Sequence, residues 1–310
     1  MKLSAIIPAY NEVENVEPLL AELFGVLEAS FPDHEVIAVD DGSTDGTLER
    51  LVDLRARFPR LTVIEMQGNF GQTAAIDAGF GHATGDVLVL LDADMQNDPA
   101  DIPKLVARIE EGWDVVCGWR VDRRDTLGKR FTSRGANLLR KIILRDSIHD
   151  SGCTLKAIRR ECTRGLRLVG EMHRFIPAIL EWRGARVTEE PVHHRARHAG
   201  RTKYNLMRVG RGLIDMIVVR FWQSWGVRPA HLFGLLGFVS AAIGFAICVY
   251  LAILKIGGAA IGDRPLLLLG ALAILVGFQF LTFGLLADMM SKVYFRDAPP
   301  YVIRRIHSDG

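Results

Sequence analysis

The sequence predicts an α/β protein with a mostly parallel sheet, followed by a pair of membrane-spanning helices. Two observations lead to this prediction. Strand-like and helix-like segments alternate from Leu3 to about Arg120, which is the pattern of βαβ units. Two long apolar stretches, Leu232 to Leu254 and Pro265 to Ala287, follow near the carboxyl end of the chain.

The α/β part begins with four predicted strands separated by three helices. The strands are short apolar runs bounded by turn residues, and the helices lie between them. The predicted strands are Leu3 to Pro8, Glu35 to Val39, Leu61 to Met66 and Val87 to Leu91. The predicted helices are about Val13 to Ser30, Thr47 to Phe58 and Gln72 to Ala83. This arrangement places the carboxyl ends of the parallel strands at one edge of the sheet.

Composition narrows the class of protein. A chain of 310 residues with 49% hydrophobic content can bury a sizeable core, and its net charge of +2 argues against a dedicated nucleic-acid binder. The four cysteines show neither C-x-x-C pairing nor zinc-ligand spacing, so we expect them to be reduced. The amino terminus has too short an apolar run for a signal peptide, so we expect the first domain in the cytosol.

Two carboxylates, Asp92 and Asp94, directly follow the Val87 to Leu91 strand. Ligands bind at this edge of open α/β sheets. Together with Gln96, the pair offers hard oxygen ligands for Mg²⁺ or Mn²⁺, in a site that usually shares its metal with substrate phosphates. A solvated acidic turn is the alternative interpretation.

Polar loops also follow the first two strands, at residues 8–12 and 40–46. Asp40 can accept a hydrogen bond from a base or a ribose, and the glycines of the second loop let the backbone turn closely. Neither loop contains G-x-G-x-x-G or the P-loop pattern. The second loop could instead be ordinary turn and helix-cap chemistry, with Ser43 or Thr44 capping the next helix.

Two basic stretches, residues 121–150 and 195–203, lie on the carboxyl side of these motifs. Either alone fits a solvated loop, but the two together with an acidic metal site suit phosphate binding. His193, His194 and His198 could be read as zinc ligands, although they lack the flanking carboxylate or cysteine usual for such sites.

The two apolar stretches are each about 23 residues long and span roughly 34 Å, enough to cross a membrane. A short Gly-rich turn joins them, so we expect a hairpin with both ends in the cytosol, because basic residues concentrate outside the turn. Residues 204–225 combine arginines with two tryptophans and predict an interfacial helix, or alternatively a buried core helix. The predicted domains are 1–203, 204–228, 229–290 and a cytosolic tail at 291–310.

Five motifs occur in a defined order along the chain. They are IIPAYNE at 6–12, VDDGSTDGT at 39–47, NFGQTAAI at 69–76, LDADMQNDP at 91–99 and GEMHRFIP at 170–177. In this order they resemble the family 2 glycosyltransferases with the GT-A fold, and more narrowly the polyprenyl-phosphate glycosyltransferases. The resemblance covers essentially the whole chain, including the apolar hairpin. Met95 and Asn97 stand where Leu and Asp are common in that group.

The resemblance implies a Rossmann-like GT-A domain that transfers a sugar, with inversion, from a UDP- or GDP-sugar to undecaprenyl or dolichyl phosphate. This reaction would take place at the cytosolic face of the inner membrane, with Mg²⁺ or Mn²⁺ as cofactor. It also implies contact with membrane lipids and, as is common in the family, association into homo-oligomers through the membrane region. The glycines and alanines of the first apolar stretch would permit such helix packing, or would equally pack the hairpin against itself.

The resemblance also assigns roles to residues. It implies that Asp92 and Asp94 are the catalytic pair and hold the metal with Gln96. The nucleotide-sugar pocket would be lined by Pro8, Tyr10, Glu12, Asp40 and Asp41. The acceptor and donor phosphates would be bound by Arg120, Arg130, Ser133, Arg134, Arg201 and Lys203. The acceptor pocket would include Glu171, His173 and Arg174, with Glu171 alternatively an acidic residue at a helix start.

Chemistry on a lipid phosphate needs no general base, because a phosphomonoester with a second pKa of about 6 is largely ionised near neutral pH. Two other functions remain alternatives. A processive polysaccharide synthase is one, although the chain lacks Q-x-x-R-W and has too few apolar helices for a channel. A non-catalytic, membrane-tethered nucleotide-binding scaffold is the other.

Overall fold

The computed structural model describes residues 1–121, 148–150, 152–168, 170, 172–195, 217–221, 224–226, 228–258, 260–262 and 264–297. The chain divides into two compact units, Met1–Arg220 and Phe221–Pro300. The described part of the first unit is an α/β domain. The described part of the second unit consists mainly of two long apolar helices.

The α/β unit is built on a seven-stranded mixed sheet. Its strands are β1 (Leu3–Ala9), β2 (His34–Asp40), β3 (Leu61–Glu65), β4 (Val87–Leu90), β5 (Val115–Trp119), β6 (Lys156–Arg159) and β7 (Val187–Pro191). They lie side by side in the order β3-β2-β1-β4-β6-β5-β7. Strand β6 runs antiparallel to β4 and β5, and the other neighbouring pairs are parallel. The predicted mostly parallel sheet is confirmed.

Helices cover both faces of this sheet. They are α1 (Val13–Ser30), α2 (Thr47–Leu54), α3 (Gln72–His82), α4 (Ile102–Glu110), α5 (Arg160–Thr163) and α6 (Ile176–Trp182). The four strands and three helices that the sequence predicts are all present. Helix α2 ends at Leu54 rather than at the predicted Phe58, and the chain continues through turns.

The sheet separates two hydrophobic clusters, and β1 contributes to both. Leu3, Ala5 and Ile7 pack in the cluster that contains α1 and α4, whereas Ile6 packs in the cluster that contains Ile76 of α3. A strand buried on both faces needs apolar residues at successive positions, which explains why it reads as a continuous apolar run. The same reasoning applies to β4, whose four residues are all buried.

The second unit contains α7 (Pro229–Ile256) and α8 (Pro265–Asp297), which pack closely against each other. A Cβ atom added to Gly237 would lie 2.7 Å from the Gly277 carbonyl oxygen, and one on Gly244 would lie 2.6 Å from that of Gly270. These glycines therefore pack the hairpin against itself. Both helices are long and apolar enough to cross a membrane, as the sequence predicts. The predicted interfacial segment falls largely outside the described residues.

Candidate functional site

The polar loops that follow β1, β2 and β4 meet at one edge of the sheet. Ala9 at the end of β1 pairs with Asp40 at the end of β2, and Ile6 pairs with Leu90 at the end of β4. Because the three strands are parallel neighbours, residues 8–12, Asp40 and Asp92 all lie at their carboxyl ends. The edge predicted from the sequence is present in the structure.

The Asp92 carboxylate is held through both of its oxygens. Gln72, the first residue of α3, donates from Nε2 to Asp92 Oδ1 over 2.6 Å. Thr154 donates from Oγ1 to Asp92 Oδ2 over 2.5 Å. The orientation of this carboxylate is therefore set by two side chains, one in α3 and one two residues before β6.

The pKa of Asp92 is raised from its ordinary value of 3.8 to about 6, mainly by burial and secondly by the nearby negative charge of Asp94. The hydrogen bond from Thr154 and the positive charges of Lys156 and Arg120 lower the same pKa. The two carboxylates are thus close enough for their negative charges to repel each other.

Asp94 is 8% exposed, and its Oδ1 accepts a hydrogen bond of 3.2 Å from the backbone amide of Gln96. Between them, Met95 adopts a left-handed backbone with φ of 59°. This conformation costs a residue other than glycine about 1–2 kcal/mol. The turn is therefore a tight one that the surrounding contacts must stabilise.

The residues present at this turn fit a hard divalent cation. Asp92, Asp94 and Gln96 supply oxygen atoms, and a cation would offset the repulsion between the two carboxylates. Within the described part of the chain, no group of three or more His, Cys, Asp or Glu side chains gathers as a complete ligand set.

Asp40 and Asp41 play different roles in the structure. Asp40 is 1% exposed; its Oδ2 accepts a 3.0 Å hydrogen bond from the Ser43 amide, and its Oδ1 is buried with no partner among the described residues. Asp41 instead fixes the loop before α3, because it accepts from the amides of Phe70 (2.7 Å) and Gly71 (2.9 Å). A buried, unpartnered carboxylate oxygen such as Asp40 Oδ1 fits a donor supplied by a ligand.

The loops after β1 and β2 are joined by side-chain hydrogen bonds. The amide of Asn11, a residue with φ of 54°, donates to Ser43 Oγ over 2.9 Å, and the Thr44 amide donates to Asn11 Oδ1 over 2.8 Å. Neither Ser43 nor Thr44 caps α2, whose N-cap is Gly46 without a side-chain capping bond. The predicted capping by Ser43 or Thr44 is wrong, because the Ser43 hydroxyl and the Thr44 amide bond to Asn11 of the neighbouring loop instead.

The other residues assigned to the nucleotide pocket lie near the end of β1 and on the loop that follows it. Pro8 is buried within β1, while Tyr10 and Glu12 are half-buried. Glu12 accepts a 2.6 Å hydrogen bond from Asn15, and its backbone amide donates to Thr47 Oγ1 over 2.9 Å. Their predicted contacts with a nucleotide stay predictions.

Arg120 at the end of β5 forms a two-pronged ion pair with Asp150, with N–O distances of 2.7 and 2.9 Å. Arg120 is close enough to the acidic pair for its positive charge to lower the pKa of Asp92. Its guanidinium, however, is bound by the Asp150 carboxylate. The predicted role of Arg120 in phosphate binding stays a prediction. Other predicted site residues lie outside the described residues, namely Arg130, Ser133, Arg134, Glu171, Arg201 and Lys203.

His173 is buried, and its Nδ1 lies 2.7 Å from Thr73 Oγ1, at the second residue of α3. Arg174 beside it is half-buried. His193, part of the possible zinc motif, pairs with Asp101 at 3.1 Å, whereas His198 lies outside the described residues.

Sequence reasoning did not identify Gln72, Thr154 or Lys156 as part of this site. Gln72 lies within the NFGQTAAI motif, which was a usable signal. Thr154 and the buried Lys156 adjoin or belong to β6, a four-residue strand with charged residues at both ends. This short segment carries no clear strand periodicity.

The mostly parallel sheet, with polar loops and an Asp-x-Asp pair at its carboxyl edge, has a GT-A-like fold. The family model described as "Glycosyl transferase family 2" matches residues 4–166. The chain belongs to glycosyl transferase family 2, and the family resemblance expected from the motifs is confirmed.

Two curated relatives match over the whole chain. One is a dodecaprenyl-phosphate galacturonate synthase of Rhizobium johnstonii, 40% identical, with 100% of this chain and 94% of the relative covered. The other is an undecaprenyl-phosphate 4-deoxy-4-formamido-L-arabinose transferase of an Enterobacter species, 35% identical with the same coverage. Both are polyprenyl-phosphate glycosyltransferases by name.

Among solved structures, glucosyl-3-phosphoglycerate synthase of Mycobacterium tuberculosis in complex with Mn²⁺ and UDP-glucose shares the fold. It aligns with a TM-score of 0.56 at 22% identity, over 71% of this chain and 78% of that one. The same enzyme has also been crystallised with Mg²⁺ and UDP. At this identity the likeness is one of fold.

Proposed function

We propose that the protein transfers a sugar from a UDP- or GDP-linked donor to a polyprenyl phosphate at the cytosolic membrane face. The observation that carries the proposal is an acidic sheet edge with an unpartnered buried oxygen on Asp40, in a chain whose full length matches two polyprenyl-phosphate enzymes. The two apolar helices support a lipid acceptor, because such a substrate is held in the membrane.

The nucleotide of the donor is proposed to bind at the loops after β1 and β2. Asp40 Oδ1 lacks a partner among the described residues, and an N–H of the base or an O–H of the ribose would satisfy it. Pro8 near the end of β1, together with Tyr10 and Glu12 on the loop that follows it, would line the same pocket. Asp41 would support the pocket indirectly, because it holds the backbone amides of Phe70 and Gly71 in place.

Asp94 and Gln96, with Asp92, would hold Mg²⁺ or Mn²⁺ between the protein and the donor diphosphate. When bound, the metal supplies positive charge that stabilises the negative charge developing on the leaving nucleoside diphosphate. The support for this assignment is the chemistry of the donor set and the repulsion between the two carboxylates.

The proposed reaction is a single displacement. An oxygen of the ionised lipid phosphate attacks the anomeric carbon from the face opposite the leaving group, the bond from that carbon to the nucleoside diphosphate breaks, and the configuration inverts. The chain needs to contribute no general base, because the attacking phosphate oxygen is already deprotonated. The cationic residues of 120–134 and 195–203 would bind the phosphates, and His173 and Arg174 would face the acceptor.

The membrane topology is proposed as an inner-membrane hairpin with both termini and the α/β unit in the cytosol, which follows from the distribution of basic residues. The same proposal includes domain boundaries at 203, 228 and 290. It also includes a homo-oligomeric state.

The test replaces Asp94 with Asn and measures transfer of radiolabelled sugar into the organic phase with polyprenyl phosphate and Mn²⁺. Transfer should fall about 100-fold or more, because a charge that stabilises the transition state is lost. Asp86→Asn is the matched control, since Asp86 is exposed beside the opposite end of β4 and should leave transfer unchanged.

The donor panel also separates the alternatives. Near wild-type transfer by Asp94→Asn would contradict the metal assignment. Failure of the wild-type chain to label lipid with any UDP- or GDP-sugar would contradict the proposed reaction and favour a binding scaffold. A labelled polymer in place of a lipid-linked monosaccharide would favour the processive synthase.

A further inference from the structure

We propose that Gln72 and Thr154 are positioning residues that lock the Asp92 carboxylate into the orientation needed for binding of the divalent metal and the donor. This inference rests on the proposed function and extends it to two residues outside the Asp-x-Asp motif. Both act through Asp92 and neither is assigned contact with the substrate.

The two hydrogen bonds restrain different oxygens of one carboxylate. Gln72 Nε2 lies 2.6 Å from Oδ1 and Thr154 Oγ1 lies 2.5 Å from Oδ2. A carboxylate bonded at one oxygen can still rotate about its terminal torsion, but bonds at both oxygens from two separate elements fix the plane of the group. Partners of this kind orient the groups that bind a metal.

Thr154 reaches Asp92 because β6 is antiparallel to β4. Leu90 pairs with Lys156 in this ladder, and continuing the register by two residues places Thr154 opposite Asp92. If β6 were parallel to β4, its opposite end would lie at this edge. The reversed strand thus brings a hydroxyl donor to the edge where the acidic pair lies.

Gln72 reaches the same carboxylate from the first residue of α3. The N-cap of this helix is Gly71, which makes no side-chain capping bond, and the Gln72 side chain reaches Asp92, 20 residues away. The start of the helix is itself anchored, because Asp41 accepts a 2.9 Å hydrogen bond from the Gly71 amide. The Gln72 amide is therefore presented from a fixed backbone.

A matched pair of substitutions separates the hydroxyl from the shape of the side chain. Thr154→Val keeps the shape and removes the donor, whereas Thr154→Ser keeps the donor. Gln72→Met removes the second bond at similar length. Mn²⁺ binding to the purified protein without substrates is measured by the electron paramagnetic resonance of free Mn²⁺, together with donor KM, kcat and the thermal midpoint.

Thr154→Val and Gln72→Met should each weaken Mn²⁺ binding or lower kcat/KM by about 10–100-fold, the range seen for residues that orient metal ligands. Thr154→Ser should stay within about threefold of wild type, because its hydroxyl retains the hydrogen bond. Adding Thr154→Val to Asp92→Asn should cause little further loss of Mn²⁺ affinity, since both changes act through one group.

Wild-type Mn²⁺ affinity and kcat/KM in both Thr154→Val and Gln72→Met would overturn the inference, as would equal losses in Thr154→Ser and Thr154→Val. If Thr154→Val does not fold, Gln72→Met decides alone. These outcomes differ from failure of the proposed function, in which the wild-type protein itself would neither bind Mn²⁺ nor transfer sugar.

Discussion

Replacing Gly42 with Ala should damage the donor side of the site more than its backbone strain alone predicts. Gly42 has φ of 70°, and a Cβ atom there would lie 2.5 Å from the carbonyl carbon of Gly68 and 2.7 Å from the Asn69 nitrogen. These atoms belong to the backbone just before Phe70 and Gly71, whose amides bond to Asp41. The loop must therefore move, and Asp41 and Gln72 are linked to it.

Gly46→Ala supplies the matched control. Gly46 also has positive φ, at 93°, but a Cβ atom there would meet only Val13 at the ordinary distance of 3.9 Å. The left-handed backbone costs either alanine about 1–2 kcal/mol. Forced displacement of packed atoms adds about 1–3 kcal/mol for Gly42→Ala only. The difference between the two variants therefore measures the close approach of the loops.

The assay is thermal unfolding of the detergent-solubilised protein, paired with donor KM. At about 2–4 °C per kcal/mol, Gly42→Ala should melt roughly 2–12 °C below Gly46→Ala. Its donor KM should also rise, while Gly46→Ala keeps a near wild-type value. Equal melting temperatures and equal KM values for the two variants would refute the reasoning, because the contact between the loops would then carry no energetic cost.

Two further predictions concern other contacts. Thr73→Val removes the hydroxyl that lies 2.7 Å from His173 Nδ1, and it should raise KM for the polyprenyl phosphate more than KM for the sugar donor. Thr73→Ser keeps the hydroxyl and is the control. Equal effects on the two KM values would contradict a role for His173 at the acceptor. Burial raises the pKa of Asp101, but hydrogen bonds from Lys104 and His193 outweigh burial and hold this pKa below 3.8. The stability that Asp101 contributes is therefore present above the pKa of the unfolded state, and it is lost as pH falls through the pKa of the folded state. Urea unfolding of Asp101→Asn should therefore lose less stability between about pH 5 and pH 2 than the wild type, and parallel pH profiles would contradict this.

The sequence predicts the first four strands well because burial on both faces leaves an unambiguous mark. The Val87–Leu90 run and the Leu3–Ala9 run are apolar at nearly every position, and polar loops follow each of them. Parallel pairing then brings these loops to one edge whatever the details of side-chain packing. The location of the acidic pair therefore follows from pattern alone.

The reversed strand β6 could not be predicted in the same way. It has four residues, and Lys156, one of its two charged positions, is almost completely buried beside the site. Its position between β4 and β5 is a product of tertiary packing. For the same reason, the hydrogen bond between Thr154 and Asp92 has no signal in the local sequence. Nor does the sequence show that Arg120 pairs with Asp150, or that Asp41 accepts from the amides of Phe70 and Gly71.

The strand order also has a consequence for synthesis of the chain. When β5 has been made, β4 still has one unpaired edge, because its neighbour β6 is formed by residues that follow β5. That open edge belongs to the sequence Val-Leu-Val-Leu, and unpaired apolar edges are sites of aggregation. The nascent chain must keep this edge from other chains until Lys156 to Arg159 arrive. The same docking event that closes the edge delivers Thr154 to Asp92, so chains that stop before β6 carry both an aggregation-prone edge and an incomplete acidic site.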